Sequence, residues 1–438
     1  MGQHTTPTDV STDGEAYAWN PRRDFASCAH SGHRCWNLDG ANRALPTSDR
    51  SEGRGFGPFT FLSLVRHSAG TTGADAAAGG RATAARNHKR RSRRADPIHI
   101  QRSAVECPHR SGDLYLPKGE SPAGGWPLVA WAHGTLGVSD ACAPSWTGHK
   151  PRDATYIQRW LENGFAVVAT DYQGLGGPGP HPYLVWQAEG RSVLDAVRAA
   201  LSAYPDRIAP KVFITGQSQG SGAAIGATMI AESYAADVPL LATVATGLVS
   251  TFPDGPYRPD TTAIASPIYT TLMMLGGSLA EGAPTVDDLV SDKGKPILKA
   301  ARESCAPEMR DVARREGITA DNVYVQPMVQ VLARLTPVTD MRARRLHVPM
   351  LLGTGLADTT LVPMRQYAEV AALCAVGNDV NWKTYPGATH NGGLNAAFPD
   401  ALAFFRGVLA GEKPRSNCSE ITEPGPPGEA ATGIAFND

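Results

Sequence analysis

Three residues far apart in the chain, Ser218, Asp358 and His390, have the side-chain types and the order that nucleophilic catalysis needs. Ser218 lies in Gly216-Gln217-Ser218-Gln219-Gly220, between a strand-like run at 211–215 and a Gly/Ala-rich helical segment reaching about Tyr234. The five-residue pattern alone is weak. Strand, tight turn and helix together make it a nucleophile elbow, which presents the hydroxyl from a strained corner. Gly216 and Gly220 meet a packing need, because side chains there would collide where strand and helix close on the turn. The helix N-terminus behind the turn aims free N–H groups and a positive dipole at the reacting oxygen.

Such a serine needs a base, and this elbow implies the chain order nucleophile, acid, histidine. Of 12 His, only His347 and His390 follow Ser218. His347 stands at the N-terminal end of a strand, opposite the edge where such sites form. His390 lies in a Gly-containing loop, 386–393, directly after the last strand, and is the expected base. Asp358 is the first carboxylate beyond the strand at 348–353; it would hold the second ring nitrogen of His390 and steady the imidazolium. Asp379, its competitor, precedes the final strand and so sits at the wrong end. Two N–H donors must face the developing oxyanion. Gln219, next after the nucleophile, supplies one; Thr135, in His133-Gly134-Thr135-Leu136-Gly137 after an early strand, is expected to supply the other. His133 reads as a structural residue tying that loop to neighbouring backbone. This chemistry requires no metal or organic cofactor.

The elements that must position these groups follow from the apolar pattern. Strands are expected at 126–132, 165–171, 211–215, 240–246, 348–353 and 379–385, and helices at 156–163, 191–203, 364–376 and 396–409. Near-continuous apolar strands alternating with helices imply an α/β fold, with a mostly parallel sheet covered by helices on both faces. About 100 residues separate the strand ending near Thr246 from the one starting at Val348, too many for a loop. Helical periods at 267–280, 286–304, 309–316 and 328–335 make this an inserted helical cap, about 250–345. Its most apolar piece holds Leu272, Met273, Met274 and Leu275, which either line an acyl pocket or pack the cap's own core.

The rest of the chain bounds the possibilities. It has 438 residues, with 41 Lys/Arg against 42 Asp/Glu, so no global charge draws it to nucleic acid or anionic lipid. No run of 18 apolar residues suggests a transmembrane segment. Residues 1–105 hold 15 Lys/Arg and 9 Asp/Glu without hydrophobic periodicity, and read as a disordered basic arm. The block from Lys89 to Arg94 reads as a solvated run rather than a targeting signal, and the apolar stretch 59–65 is too short for a signal peptide. Seven Cys leave at least one unpaired within the chain. Cys28 and Cys35 bracket His30 and His33, but this spacing matches no structural zinc pattern. Two disulfides would suit an exported protein, with pairing left open. The expected organisation is an arm at 1–105, a catalytic domain at 106–412 and a Pro/Gly-rich loose tail at 413–438.

Four stretches together resemble the secretory lipase family of α/β-hydrolases: Trp131-Ala132-His133-Gly134-Thr135, Asp171-Tyr172-Gln173-Gly174-Leu175-Gly176, the Gly-Pro-Gly-Pro-His-Pro-Tyr-Leu run at 177–184, and the serine motif. The resemblance spans roughly 110–410, and the stretch 171–184 is its most specific part. It implies the α/β-hydrolase fold and hydrolysis of carboxylic esters, from triacylglycerols to shorter esters, in lipid catabolism. It implies Ser218, Asp358 and His390 as the triad, a small-molecule or lipid ester as partner, and export. Contact with a lipid interface would fall to the cap. The N-terminus departs from the family, showing a basic arm where a signal peptide is usual, so secreted and cytoplasmic locations both stay open. A serine peptidase of the prolyl-oligopeptidase type and an acyltransferase share the fold and triad order.

Overall fold

The computed structural model describes residues 111–256, 266–279, 285–327, 330–331 and 340–438. The expected basic arm, the Cys28–Cys35 cluster and Cys107 lie outside the described residues, as does most of the helical period at 328–335.

Among the described residues seven strands form one sheet in the order β1-β3-β2-β4-β5-β6-β7. They are β1 (Gly112–Tyr115), β2 (Trp126–Ala132), β3 (Ala166–Thr170), β4 (Ile208–Gln217), β5 (Leu240–Thr246), β6 (Met350–Gly355) and β7 (Val380–Tyr385). All neighbours pair in parallel except β1, which runs antiparallel to β3 at the edge. β1 has no counterpart among the expected strands. It is four residues long, so it carries too little alternation to stand out.

Both faces of the sheet are covered, for a reason visible within β2. Alternate residues point to opposite faces of a strand. Leu128 and Ala130 pack with Val193, Leu194 and Val197 of α3 (Trp186–Ala203) and Ala223 and Ala227 of α4 (Gln219–Tyr234). Val129 and Trp131 pack on the other side with Tyr156 and Trp160 of α2 (Pro151–Glu162) and with Phe398 and Phe405. α1 is the short turn Pro144–Thr147.

Between β5 and β6 the described residues include the helices α5 (Pro267–Gly277), α6 (Val286–Leu289), α7 (Lys295–Glu303) and α8 (Ala306–Glu316). The expected continuous helix over 286–304 is broken, because Ser291 starts a 3-10 turn at Asp292–Gly294, its hydroxyl accepting from Gly294 N. Gly294 is needed there, since a Cβ would lie 2.2 Å from Val323 O. These helices share a core of their own that includes Leu272, Met274, Ile297 and Met309. A disulfide, Cys142–Cys305, joins this insertion to the loop after β2 across 163 residues, and Ala306 N donates to Leu136 O beside it.

After β6 come α9 (Pro363–Ala375), β7, α10 (Gly392–Ala396) and α11 (Phe398–Leu409). The expectation of a loose tail at 413–438 is corrected. The tail lies along the outer edge of β7, where Asn417 N donates to Val380 O and Trp382 N donates to Asn417 Oδ1 at 2.8 Å. The Cys374–Cys418 disulfide fixes it to the end of α9. Composition misleads here because Pro and Gly suit a strap held by side chains and a covalent link as well as they suit a free coil.

Candidate active site

The site lies at the C-terminal edge of the sheet, where β4 turns into α4. Ser218 caps that helix with φ 59° and ψ −124°, a left-handed conformation rare for a residue with a side chain. Neighbouring backbone holds it there: Ser218 N donates to Thr246 O at 3.0 Å, and Ser221 N donates to Ser218 O at 2.7 Å. The turn closes tightly, as a Cβ on Gly216 would sit 1.9 Å from Gly220 O, and one on Gly220 would sit 1.9 Å from Ala132 O.

His390 Nε2 is 2.9 Å from Ser218 Oγ, and its Nδ1 is 2.7 Å from Asp358 Oδ2. The two ring contacts set the tautomer: proton on Nδ1, lone pair on Nε2 facing the hydroxyl. Asp358 is buried and saturated with donors. Its Oδ1 accepts from Thr360 N and Leu361 N, both at 2.8 Å, and its Oδ2 also accepts from Gln366 Nε2 at 2.9 Å. His347 is far from this group; its side chain is 67% exposed and pairs with Glu232 at 2.8 Å.

Several supporting residues carry no sequence signal of their bracing role. Gln366 also accepts from Leu248 N at 3.1 Å, so it links the acid to the chain after β5. Gln217 Nε2 donates to His390 O at 3.0 Å. Gly247, with φ 59°, leaves room for the imidazole: a Cβ there would lie 2.9 Å from His390 Cε1. Asn437, in the tail, accepts from Thr389 N at 2.7 Å and donates to Gly387 O at 2.8 Å, bracketing the His390 loop. Chain order points to Ser218, Asp358 and His390, whereas these contacts join segments that are remote in sequence.

Around the expected oxyanion donors the structure is densely tied. Gln219 N is at the first position of α4, where no carbonyl within the helix can reach it. The Gln219 side chain is buried and donates to Glu189 Oε1 at 2.7 Å. Thr135 Oγ1 bonds Tyr183 OH at 2.7 Å. The ring of buried His133 contacts Gly134 O at 2.7 Å through Nδ1, and Tyr172 OH donates to His133 O at 2.9 Å. Burial pushes the His133 imidazole below its ordinary range, which holds it neutral as a structural group. Among the described residues no cluster of three or more His, Cys, Asp or Glu is placed to hold a metal ion.

The fold is that of known lipases and esterases. Candida antarctica lipase A in its closed state superposes with a TM-score of 0.55 at 21% identity, covering 74% of this chain and 77% of that one. A mutant of the rice cell wall degrading esterase LipA from Xanthomonas oryzae superposes with a TM-score of 0.51 at 18% identity, covering 69% and 87%. No curated protein sequence matches the chain. The secretory lipase family model matches residues 143–417, from the loop before α1 through the last helix and into the tail. An α/β-hydrolase sheet and this match together place the chain in the secretory lipase family, and it is a serine hydrolase of carboxylic esters.

Proposed function

We propose that the protein is a lipase or esterase of lipid catabolism, using Ser218, Asp358 and His390 as its catalytic triad. The observation that carries this reading is the unbroken relay from Asp358 Oδ2 through His390 to Ser218 Oγ, with contacts of 2.7 and 2.9 Å. His390 Nε2 takes the proton as Ser218 Oγ attacks the ester carbonyl. The N–H groups of Gln219 and Thr135 receive the oxyanion, with Gly216 and Gly220 shaping the turn. Collapse of the tetrahedral intermediate expels the alcohol, which leaves with the proton from His390. Water then adds to the acyl-enzyme with His390 again as base, releasing the acid and restoring Ser218. Asp358 stabilises the imidazolium in both steps.

The catalytic domain is read as 106–412, with the helices of about 250–345 as a cap anchored through Cys142–Cys305. Met273 of α5 reaches a cavity near the site, while Leu272 and Met274 are buried in the cap's own core. One face of α5 therefore serves the cap's own core while Met273 faces the cavity, and the outer face of the cap is read as the part that meets a lipid surface. No described helix is long and apolar enough to cross a membrane.

Purified protein assayed on nitrophenyl esters of increasing acyl length, beside Ser218→Ala, tests the reading. Wild type is expected to hydrolyse them and the variant to lose roughly a million-fold in kcat. The length optimum separates esterase from lipase. Wild-type activity in the variant, or none in the wild type on any ester, would sink the assignment.

A further inference from the structure

A narrow cavity opens one helical turn along α4 from Ser218, at Gly222, about 6 Å along the helix axis. Trp186, Val249, Met273 and Met341 make its apolar walls, and Glu189 and Arg365 bring polar side chains to it. Its free volume is about 30 Å³, space for one or two water-sized groups rather than a long alkyl chain.

Arg365 is 5% exposed, yet only one of its nitrogens is bonded: Nη2 donates to Val249 O at 3.0 Å, while Nε and Nη1 have no partner among the described residues. Glu369 and Asp340 act on it through charge without bonding those two nitrogens. A buried guanidinium with two idle donors is costly unless something else completes it. Glu189, which also lines the cavity, presents the same situation. Its Oε1 accepts from Gln219 Nε2 and Leu184 N, while Oε2 is buried without a partner. Burial raises the carboxyls of both Glu189 and Glu369 to about 8. At neutral pH the charge that reaches Arg365 comes from Asp340, raised only to about 6, and the Glu189 proton belongs on the free Oε2. Arg365 and Glu189 therefore both offer idle hydrogen-bond donors to the cavity, and Arg365 carries a positive charge.

We propose that this cavity is a subsite for a carboxylate carried by the ester substrate, bound by Arg365 Nε and Nη1 and by Glu189 Oε2–H. The inference rests on the ester-hydrolase reading and narrows its substrate class to short esters bearing an acid group. The carboxylate can stand on the acyl or the alcohol part, and the test separates the two.

Wild-type hydrolysis is followed by titration of released acid for two matched pairs. The first is the ω-carboxy and the unsubstituted ester of one acyl length; the second carries the carboxylate on the alcohol instead. In one pair, kcat/KM for the charged ester is expected to exceed that of its neutral partner by about tenfold or more. Arg365→Met should erase that ratio, and Arg365→Lys, which keeps the cation, should retain part of it. The ratio is read within each protein, so a general loss of activity leaves it interpretable, and the wild-type pairs stand if a variant does not fold. Equal or neutral-preferring rates in both pairs, or a full preference persisting in Arg365→Met, overturn the subsite while leaving the hydrolase reading intact. Absence of hydrolysis on all four esters sinks both.

Discussion

Ser218 can occupy a left-handed backbone conformation because strand, helix and two glycines leave it nowhere else to go. That strain lifts the hydroxyl out of the turn toward His390. The imidazole depends in turn on an acid that accepts four hydrogen bonds, counting the His390 contact, and has no freedom to turn away. Asp358→Asn is expected to keep the fold and lose about ten-thousandfold in kcat, because an amide can hold the ring in the wrong tautomer. Gln366→Leu should cost less, since Thr360 N and Leu361 N still fix the carboxylate. Its expected signature is a lower kcat with KM nearly unchanged. Steady-state kinetics of the two variants on one short ester check both expectations.

Among the elements, the tail and the insertion are attached in different ways. The insertion carries its own apolar core and is stapled to the base by Cys142–Cys305. The tail has no fully buried residue, packs Cys418 and Ile421 against the core beside β7, and is held by Asn417, Cys418 and Asn437. Asn437 binds both ends of the Gly387–Thr389 segment just before His390, and Gly392 just beyond leaves no room for a Cβ, which would lie 2.1 Å from Asn437 Oδ1. Asn437→Ala removes these bonds without touching the triad. It is expected to lower kcat by about tenfold with a small change in thermal midpoint, as the His390 loop gains freedom that the global fold does not feel. Unchanged kcat would mean that the loop is held by Gln217 and its own turn alone.

At the scale of the whole molecule, buried titratable groups set the pH dependence of stability. Burial lowers His181 to about 3 and His149 to about 4, so each favours the folded state as pH rises toward the ordinary histidine value of 6.5. Burial raises Glu189 and Glu369 to about 8, so their contribution is complete below the ordinary carboxylate value and is lost as pH climbs through 8. Between about pH 6.5 and 8 the histidine gain is finished and only the carboxyl loss continues. The thermal midpoint is therefore expected to fall across that window, and Glu369→Gln to fall less steeply than wild type. Calorimetry at several pH values measures both slopes; a midpoint that rises to pH 8 would contradict the assignment of these buried carboxyls.

Most of the architecture was legible in the sequence because a parallel sheet buried on both faces needs long apolar strands, and β2 and β5 match their expected bounds residue for residue. Chain order could single out Ser218, Asp358 and His390 because each follows the C-terminal end of a different strand, and parallel strands deliver those ends to one edge. The short edge strand β1, the break before α7 and the strapped tail were not legible, since each depends on contacts between segments far apart in sequence. The same holds for Gln366, Asn437 and the idle donors of Arg365. Residue types and spacing determine which groups can react, because period and punctuation are local. Only the tertiary structure decides what braces those groups and what faces the space beside them, because burial and hydrogen-bond partners are properties of the packed whole.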